Sequence, residues 1–259
     1  MRVTILGCGG SGGVPLANGT PGGYWGDCNP ASPRNRRRRC SILIEAQGRA
    51  ILLDTSPDLR SQLLDNGVKR IDAVLFTHLH ADHLHGLDEL RAMSTRMGSS
   101  IPAFVPARDH RELIERFSYA FSSSHQGSKL YPAIYDDRPI DDGIFDLLGL
   151  TAVAFPQNHG SVLSTGFRIG KIGYSTDAKS LDEAAFKALE GVDLWIVDCL
   201  RLRPHSTHSH FEQTLQWIEK VKPKRAILTH LNHTVDYEVL RDLCPSGVEP
   251  AFDGLVVEL

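Results

Sequence analysis

Four side chains that could bind a metal ion lie within six residues, in the segment Val74-Leu-Phe-Thr-His-Leu-His-Ala-Asp-His83. They are His78, His80, Asp82 and His83, and the apolar run before them predicts a short buried strand. Imidazole and carboxylate groups together suit zinc or a similar divalent ion, whereas burying them without partners costs much free energy. A solvated histidine-rich turn is the alternative, but this spacing at a strand end favours a metal site.

Three further apolar strands are predicted to end in a side chain that can bind a metal. These side chains are His159, Asp177 and His230. Strand ends that gather at one edge of a sheet make a rigid site, so we expect all seven groups to converge. Seven ligands exceed what one tetrahedral zinc accepts, but they suit two ions that share a carboxylate.

The seven groups can be divided between the two ions. One ion would be held by histidines alone: His78, His80 and His159. The other would have a carboxylate and two histidines: Asp82, His83 and His230. Asp177 has two carboxylate oxygens and is assigned as the bridge, with a water or hydroxide completing both coordination shells. Zinc is the expected metal, and manganese is the alternative.

Other segments could assist such a site. Asp54, at another predicted strand end, could accept a hydrogen bond from a metal-bound histidine, or it could only cap the helix that follows. The glycine-rich segment 7–15 could pack under a metal centre or against a phosphate, or it could be a flexible turn. The run Arg34-Asn-Arg-Arg-Arg-Arg39 offers guanidinium groups for phosphate at Arg36, Arg37 and Arg38, with a solvated basic turn as the alternative. Segment 122–142 is polar and turn-rich, which favours a lid or a substrate-facing insertion.

Composition limits the class of protein. The chain has 259 residues, of which 41% are hydrophobic and 23% charged, as in ordinary soluble globular proteins. Its net charge of -3 gives no general reason to expect nucleic-acid or membrane binding. Five scattered cysteines disfavour a secreted disulfide framework. Neither an export signal nor a membrane-spanning run is apparent, so we expect a cytoplasmic protein.

The signature Thr77-His-Leu-His-Ala-Asp-His83, followed in order by His159, Asp177 and His230, resembles the metallo-β-lactamase superfamily. The resemblance extends from Val3 to the last predicted strand. It implies an α/β protein, an αββα metallo-β-lactamase sandwich with a dinuclear metal site at one edge. It also implies a single hydrolase domain over residues 1–259.

Two features indicate the branch of this superfamily. Asp177 stands where true lactamases carry cysteine, which disfavours antibiotic hydrolysis. The segment His205-Ser-Thr-His208-Ser209 resembles the extra histidine motif of the phosphodiesterase branch, which glyoxalase II enzymes and lactamases lack. His208 is therefore our candidate general acid, and Asp82, besides binding metal, could form a hydrogen bond with it. The alternative for this segment is a helix cap that happens to contain histidines.

Within that branch the chain resembles the PhnP-like and tRNase Z-like phosphodiesterases. Segment 160–176 is too short for the tRNA-gripping arm of tRNase Z, so tRNA is disfavoured as a substrate. The glycine loop, the arginine run, Thr229-His-Leu-Asn-His233 and Phe252-Asp-Gly254 are similar to PhnP-like proteins. Those proteins hold a further zinc with a cysteine cluster and the histidine that His233 matches. In this chain Cys28 alone matches that cluster, with Cys40 as a substitute, so a third zinc remains open.

The expected activity is metal-dependent hydrolysis of small cyclic or nucleotide-like phosphodiesters by a metal-bridging hydroxide. The expected ligand is accordingly a small phosphodiester or nucleotide, with no membrane partner, and a homodimer is left open. One alternative is a thioester or ester hydrolase of the glyoxalase II kind. The other is a metal-containing ligand-binding protein without turnover.

Overall fold

The computed structural model describes residues 1–122 and 131–259, which form two compact units. The first unit comprises Met1–Leu6, Ser41–Asp141 and Val256–Leu259. The second comprises Gly7–Cys40 and Asp142–Leu255. The single domain expected for residues 1–259 stays a prediction.

Strands and α-helices follow one another along the chain in the mixed order typical of an α/β protein. The strands within the described ranges are β1 (Arg2–Gly7), β2 (Ser41–Ala46), β3 (Arg49–Leu53), β4 (Ala73–Leu75), β5 (Ile101–Pro106), β6 (Tyr135–Ile140), β7 (Gly143–Leu147), β8 (Leu150–His159), β9 (Val162–Ile169), β10 (Ile172–Ser175), β11 (Leu194–Asp198), β12 (Arg225–Thr229), β13 (Val248–Pro250) and β14 (Val256–Glu258). The α-helices in the same ranges are α1 (Leu59–Asp65), α2 (Ala81–Leu84), α3 (Arg91–Met97), α4 (Ala107–Phe117), α5 (Glu183–Leu189), α6 (Phe211–Val221) and α7 (Tyr237–Leu243).

The first unit contains a seven-stranded mixed sheet in the order β14-β1-β2-β3-β4-β5-β6. Strands β3 to β6 pair in parallel, and Leu53 of β3 lies opposite Leu75 of β4. All three residues of β4 are buried, as expected for a strand covered on both faces. Because carboxyl ends of parallel strands meet at one edge, Asp54 and the segment after β4 emerge together.

The second unit contains another seven-stranded mixed sheet, in the order β13-β12-β11-β10-β9-β8-β7. Strands β10, β11, β12 and β13 pair in parallel, while β8 and β10 each pair antiparallel with β9. Strands β8, β10, β11 and β12 therefore all run in one direction. Their ends carry His159, Asp177, Asp198 and His230 to the same edge of this sheet.

The polar segment 122–142 differs in part from its prediction. Residues 123–130 lie outside the described residues. Residues 135–140 form β6, which pairs with β5 from Ile101↔Tyr135 to Pro106↔Ile140 and ends the first sheet. This half is therefore an edge strand rather than a lid. Within the described ranges, no helix has the length and apolar character needed to cross a membrane.

Candidate metal centre

The first unit brings together the four metal-competent side chains of the signature. The ring of His78 lies 4.5 Å, centroid to centroid, from the rings of both His80 and His83. Nε2 of His83 lies 3.3 Å from Oδ2 of Asp82. All except His80 are buried, because they sit between the end of β4 and the first turn of α2.

Asp54 anchors two of these histidines. Its carboxylate accepts hydrogen bonds from His83 Nδ1 at 2.7 Å and from the Thr77 backbone N–H at 2.8 Å. The Thr77 hydroxyl donates its single proton to the same carboxylate at 2.9 Å. The same hydroxyl lies 3.0 Å from His78 Nδ1, and because its proton is already used, it must accept a hydrogen bond from that nitrogen. Both histidines thus carry their Nδ1 proton, which leaves the lone pair of a neutral ring on Nε2, the form that binds metals.

The environment of Asp54 is strongly constrained. Its side chain is fully buried and its backbone adopts the left-handed region with φ of 64°, which is uncommon outside glycine. Burial raises the pKa of Asp54, and the donors from His83 and Thr77 lower it, with burial prevailing. A capping role for Asp54 is not observed, because α1 begins only at Leu59 with Asp58 at its N-cap.

The Asp54→Asn variant should bind zinc about 10–100-fold more weakly, the usual effect of removing a group that orients a metal-bound histidine. The amide has one acceptor oxygen, so it cannot accept hydrogen bonds from Thr77 N–H and from His83 Nδ1 at the two carboxylate positions, and the His83 ring loses its fixed tautomer. Zinc affinity is measured by competition with a chromophoric chelator, and Asp141→Asn, at an exposed position, is the charge-matched control. Equal zinc affinities in the two variants would rule out the orienting role.

The second unit gathers its own carboxylate and histidines. Oδ2 of Asp177 lies 3.4 Å from His159 Nε2, and Oδ1 lies 3.3 Å from His230 Nε2. All three side chains are buried. Nδ1 of His159 donates to the Thr207 carbonyl at 2.8 Å, so its Nε2 is again the atom suited to a metal. Each oxygen of Asp177 therefore faces a different imidazole.

Backbone conformation singles out the same positions. Asp177 and His230 have φ values of 54° and 60°, although neither is glycine. Residues of this kind persist where the surrounding structure over-determines them, often at functional sites. The glycine loop lies against one of them, since a Cβ on Gly10 would be 3.4 Å from His230 Cε1. A Cβ on Gly9 would approach the Arg38 carbonyl oxygen to 2.9 Å, so close packing, rather than flexibility, accounts for these glycines.

His208 is held by a carboxylate that sequence reasoning missed. Its Nδ1 lies 3.1 Å from Oδ2 of Asp198, which also accepts hydrogen bonds from the backbone N–H groups of Ala178 at 3.0 Å and Ser209 at 3.3 Å. That Asp82 could form a hydrogen bond with His208 stays a prediction, whereas the partner of His208 Nδ1 in the structure is Asp198. The sequence does contain a pattern that indicates Asp198, because the apolar run from Leu194 ends in Asp198 just as the other strands end in proposed ligands.

The orientation of His208 suits proton transfer. With Nδ1 bound to Asp198, its Nε2 lies 3.8 Å from Oδ2 of Asp177. His205 stands beside it with ring centroids 5.3 Å apart, and burial together with His208 lowers the pKa of His205. His208 is not a helix cap, since α6 begins at Phe211 with His210 at its N-cap.

Two of the residues considered for a third zinc, Cys28 and Cys40, contact other protein groups, and this zinc stays a prediction. No group with metal-ligand spacing among residues 1–122 and 131–259 includes Cys28, Cys40 or His233. The Cys28 thiol instead faces the Val235 carbonyl at 3.3 Å, and burial raises its pKa. Cys40 lies 3.5 Å, sulfur to oxygen, from the Thr229 hydroxyl.

Arg37 occupies the space beside Cys28. Its buried guanidinium donates to the carbonyls of Asn232 and Val235, both at 2.9 Å, and to Asn35 Oδ1 at 3.1 Å. This guanidinium joins two loops and does not face solvent, so Arg37 is not available to a phosphate in this structure. Arg36 is exposed and lies over the Trp25 ring at 5.1 Å, and Arg38 is half-buried.

The donor set in both units fits divalent metal ions. Buried imidazoles present Nε2 next to carboxylate oxygens, and a protein group fixes Nδ1 of His78, His83 and His159. Nitrogen and oxygen donors of this kind suit zinc and also manganese. The arrangement of ligands around an ion across the two units stays a prediction.

The family model described as the beta-lactamase superfamily domain matches residues 49–231, well over half of the chain. The chain belongs to this superfamily. A crystal structure described as a new diphosphatase from the PhnP family is similar over 100% of this chain and 97% of that one, with 32% identity and a TM-score of 0.88. The predicted resemblance and the predicted metallo-β-lactamase fold are confirmed, with two mixed sheets and helices.

Two curated relatives extend the comparison. An octanoyltransferase of Porphyromonas gingivalis is 30% identical over 258 residues, covering 98% of this chain and 51% of that protein. A ribonuclease Z of Bradyrhizobium diazoefficiens is 27% identical over 139 residues, covering 52% of this chain and 45% of that protein. This superfamily member thus spans about half the length of these two relatives.

Proposed function

We propose that this superfamily member is a dinuclear metal-dependent phosphodiesterase that hydrolyses small cyclic or nucleotide-like phosphodiesters. The observation that carries the proposal is the Asp198–His208 pair beside Asp177, because phosphodiester hydrolysis with a poor leaving group needs a positioned acid. The similarity to a PhnP-family diphosphatase over the whole chain supports a phosphoryl substrate in general.

The proposed ligands are those of the signature and of the second-unit strand ends. They are His78, His80, Asp82, His83, His159, Asp177 and His230. When bound, two divalent ions would neutralise charge on the phosphoryl oxygens and lower the pKa of an attacking water. Asp177 is the proposed shared carboxylate, since its two oxygens already face separate histidines.

The protein groups act around this centre. Protonated His208 donates the Nε2 proton to the leaving alkoxide oxygen. Its Nδ1 proton stays on the ring and is donated as a hydrogen bond to Asp198, which stabilises the imidazolium. Asp54 holds His83 and, through Thr77, His78 in the tautomer that presents Nε2. Burial of these carboxylates and rings keeps bulk water from competing for their hydrogen bonds.

A second candidate is thioester or ester hydrolysis. It is favoured by the octanoyltransferase relative, whose name indicates acyl chemistry and which matches nearly all of this chain. That relative is about twice as long, so its acyl chemistry can belong to the part without a counterpart in this chain. The His208–Asp198 pair has no evident task with a thiolate leaving group, which departs without protonation.

One preparation distinguishes the candidates. Bis-p-nitrophenyl phosphate, a diphosphate diester, an acyl thioester and a penam are assayed with the same zinc-loaded protein. We expect the phosphoryl substrates to be hydrolysed at least about 100-fold faster than the thioester or the penam, since one added catalytic group typically supplies that factor. Faster thioester hydrolysis would establish the second candidate, and no turnover of any substrate would favour a non-catalytic ligand-binding protein.

Neutralising the two remaining candidate arginines tests phosphate recognition. The double variant Arg36→Gln with Arg38→Gln should raise KM for a charged phosphodiester by about tenfold, the loss of roughly one charge-assisted hydrogen bond. KM for a neutral p-nitrophenyl ester should change much less. Arg111→Gln, on exposed α4, is the control. An equal rise in KM for both substrates would show that the arginines stabilise the fold and do not bind phosphate.

The remaining expectations stay predictions: location in the cytoplasm, the absence of tRNA among substrates, and a homodimer as an open possibility.

A further inference from the structure

The first unit has an open groove of about 540 Å³ that the proposed reaction does not use. One wall is α1, which contributes Arg60, Leu63 and Leu64. These positions are spaced i, i+3 and i+4, so they share one helix face. The opposite wall is the 3-10 turn Leu87–Leu90 with α3, whose groove-lining residues Glu89, Ala92, Met93 and Arg96 follow the same spacing.

Two contacts show how the helices that form the two walls run relative to each other. A Cβ on Gly86 would lie 1.9 Å from the Ser56 carbonyl oxygen and 3.1 Å from Leu59 Cβ, so the walls touch where both begin. At the other end of the groove, Arg96 Nη2, in the last turn of α3, donates to the carbonyl of Lys69, which follows the end of α1. The two helices therefore run side by side in the same direction, and Lys69 and Arg96 mark the closed end.

Charge is distributed unevenly along the groove. Arg60 and Glu89, of opposite sign, lie at its beginning, whereas Lys69 and Arg96, both cationic, lie at its end. The stretch between them is apolar. Leu63 is buried there, Val68 and Met93 pack against the core, and Leu64 is 64% exposed. Because these side chains line one groove, they form a contiguous apolar stretch, which is more typical of a binding surface than a single exposed leucine.

We propose that this groove binds a medium-chain aliphatic carboxylate. The tail lies along Leu63, Leu64 and Met93, and the carboxylate contacts Lys69 and Arg96. The wall from Glu89 to Arg96 is about 10 Å long at about 1.5 Å per residue, which suits an extended medium-length chain. A cavity of this size, with an apolar floor and a few convergent charges, has the character of a small-molecule site.

The charge pattern favours this occupant over two others. An acidic amphipathic helix from a partner would be matched by cations spread along the groove, whereas the uncompensated cations of this groove lie at one end. A second copy of this chain, packed about a two-fold axis through the middle of the groove, would set Lys69 and Arg96 opposite the other copy's Arg60 and Glu89, whose charges cancel, so the two cations would gain no counter-charge. One head group at one end satisfies both the charge and the apolar stretch.

The test is calorimetric titration of the full zinc-loaded chain with octanoate. Octanoate should bind, whereas octyltrimethylammonium and butyrate, which lack the charge or the tail, should bind at least about tenfold more weakly. Arg96→Glu and Leu64→Glu should each weaken octanoate binding by about tenfold or more, since each places an anion beside the head or the tail. Binding is read directly, so the result is independent of the proposed phosphodiesterase activity.

Matched controls are Arg111→Glu and Leu243→Glu, at exposed positions on α4 and α7, which should bind octanoate normally. No octanoate binding, or equal binding of octyltrimethylammonium, would overturn the proposal. It would also be overturned if the groove variants bound octanoate as well as the controls. A dimer in sedimentation velocity that Leu64→Glu alone dissociates would assign the groove to a second copy instead.

Discussion

Replacing His208 by alanine should lower the turnover of an alkyl phosphodiester by about 10²–10⁴, the usual range for a general acid. The alkoxide leaving group requires a proton, and His208 presents Nε2 beside Asp177 while Asp198 holds its other nitrogen. A nitrophenolate leaving group needs little protonation, so the same variant should lose much less activity with an aryl ester. Its zinc content and thermal stability should remain close to those of the unchanged protein.

His80→Ala is the informative comparison. His80 is the exposed member of the first-unit cluster, so its removal should disturb the fold little. Because His80 is a proposed metal ligand, however, the variant should lose bound metal and its activity toward both esters. Loss of a metal ion from His208→Ala, or equal losses with both leaving groups, would show that His208 is not the acid.

Asp198→Asn should be nearly as damaging as the loss of His208, lowering alkyl phosphodiester turnover by about 10²–10⁴. An asparagine oxygen in the Oδ2 position can still accept from His208 Nδ1, but the neutral amide no longer stabilises the imidazolium form that donates the proton. In the serine-protease triad, the equivalent change of an orienting aspartate lowers turnover by about 10⁴ with the geometry intact. Asp198 also accepts from Ala178 N–H and Ser209 N–H, bonds that the asparagine oxygen can keep, so the fold should survive.

Comparing turnover of an alkyl ester with that of an aryl ester shows whether Asp198 orients His208 or only stabilises the fold. A positioning role predicts that Asp198→Asn, like His208→Ala, affects the alkyl ester far more than the aryl ester. The double variant should then be little worse than either single variant, because both act through one proton. Asp193→Asn, which removes only a surface ion pair with Lys224, is the control. Additive losses in the double variant would refute the coupling.

Much of the fold and of the candidate site could be predicted from local pattern. The apolar runs before His78, His159 and His230 are strands, and α6 spans Phe211–Val221 as its apolar spacing indicates. A strand that ends in a polar side chain leaves that side chain at the sheet edge, and this needs no knowledge of the rest of the chain. For the same reason Asp198 should have been found, since β11 follows the rule.

What escaped prediction depends on contacts between residues distant in sequence. Nothing in the run 34–39 distinguishes Arg37 from its neighbours, yet Arg37 is buried against carbonyls about 200 positions later, at Asn232 and Val235. The left-handed backbone of Asp54 is likewise imposed by partners, because no local rule places an aspartate there. The groove between α1 and α3 arises from the packing of two helix faces. The sequence indicates each face, but it does not indicate that the two faces pack side by side.

Metal titration tests the central claim most directly. Protein stripped with a chelator and returned to metal-free buffer is titrated with zinc while the hydrolysis of bis-p-nitrophenyl phosphate is followed. The seven proposed ligands predict no activity without metal, full activity at about two equivalents per chain, and elemental analysis that gives the same stoichiometry. Activity that is complete at one equivalent, or that persists without metal, would contradict the dinuclear phosphodiesterase.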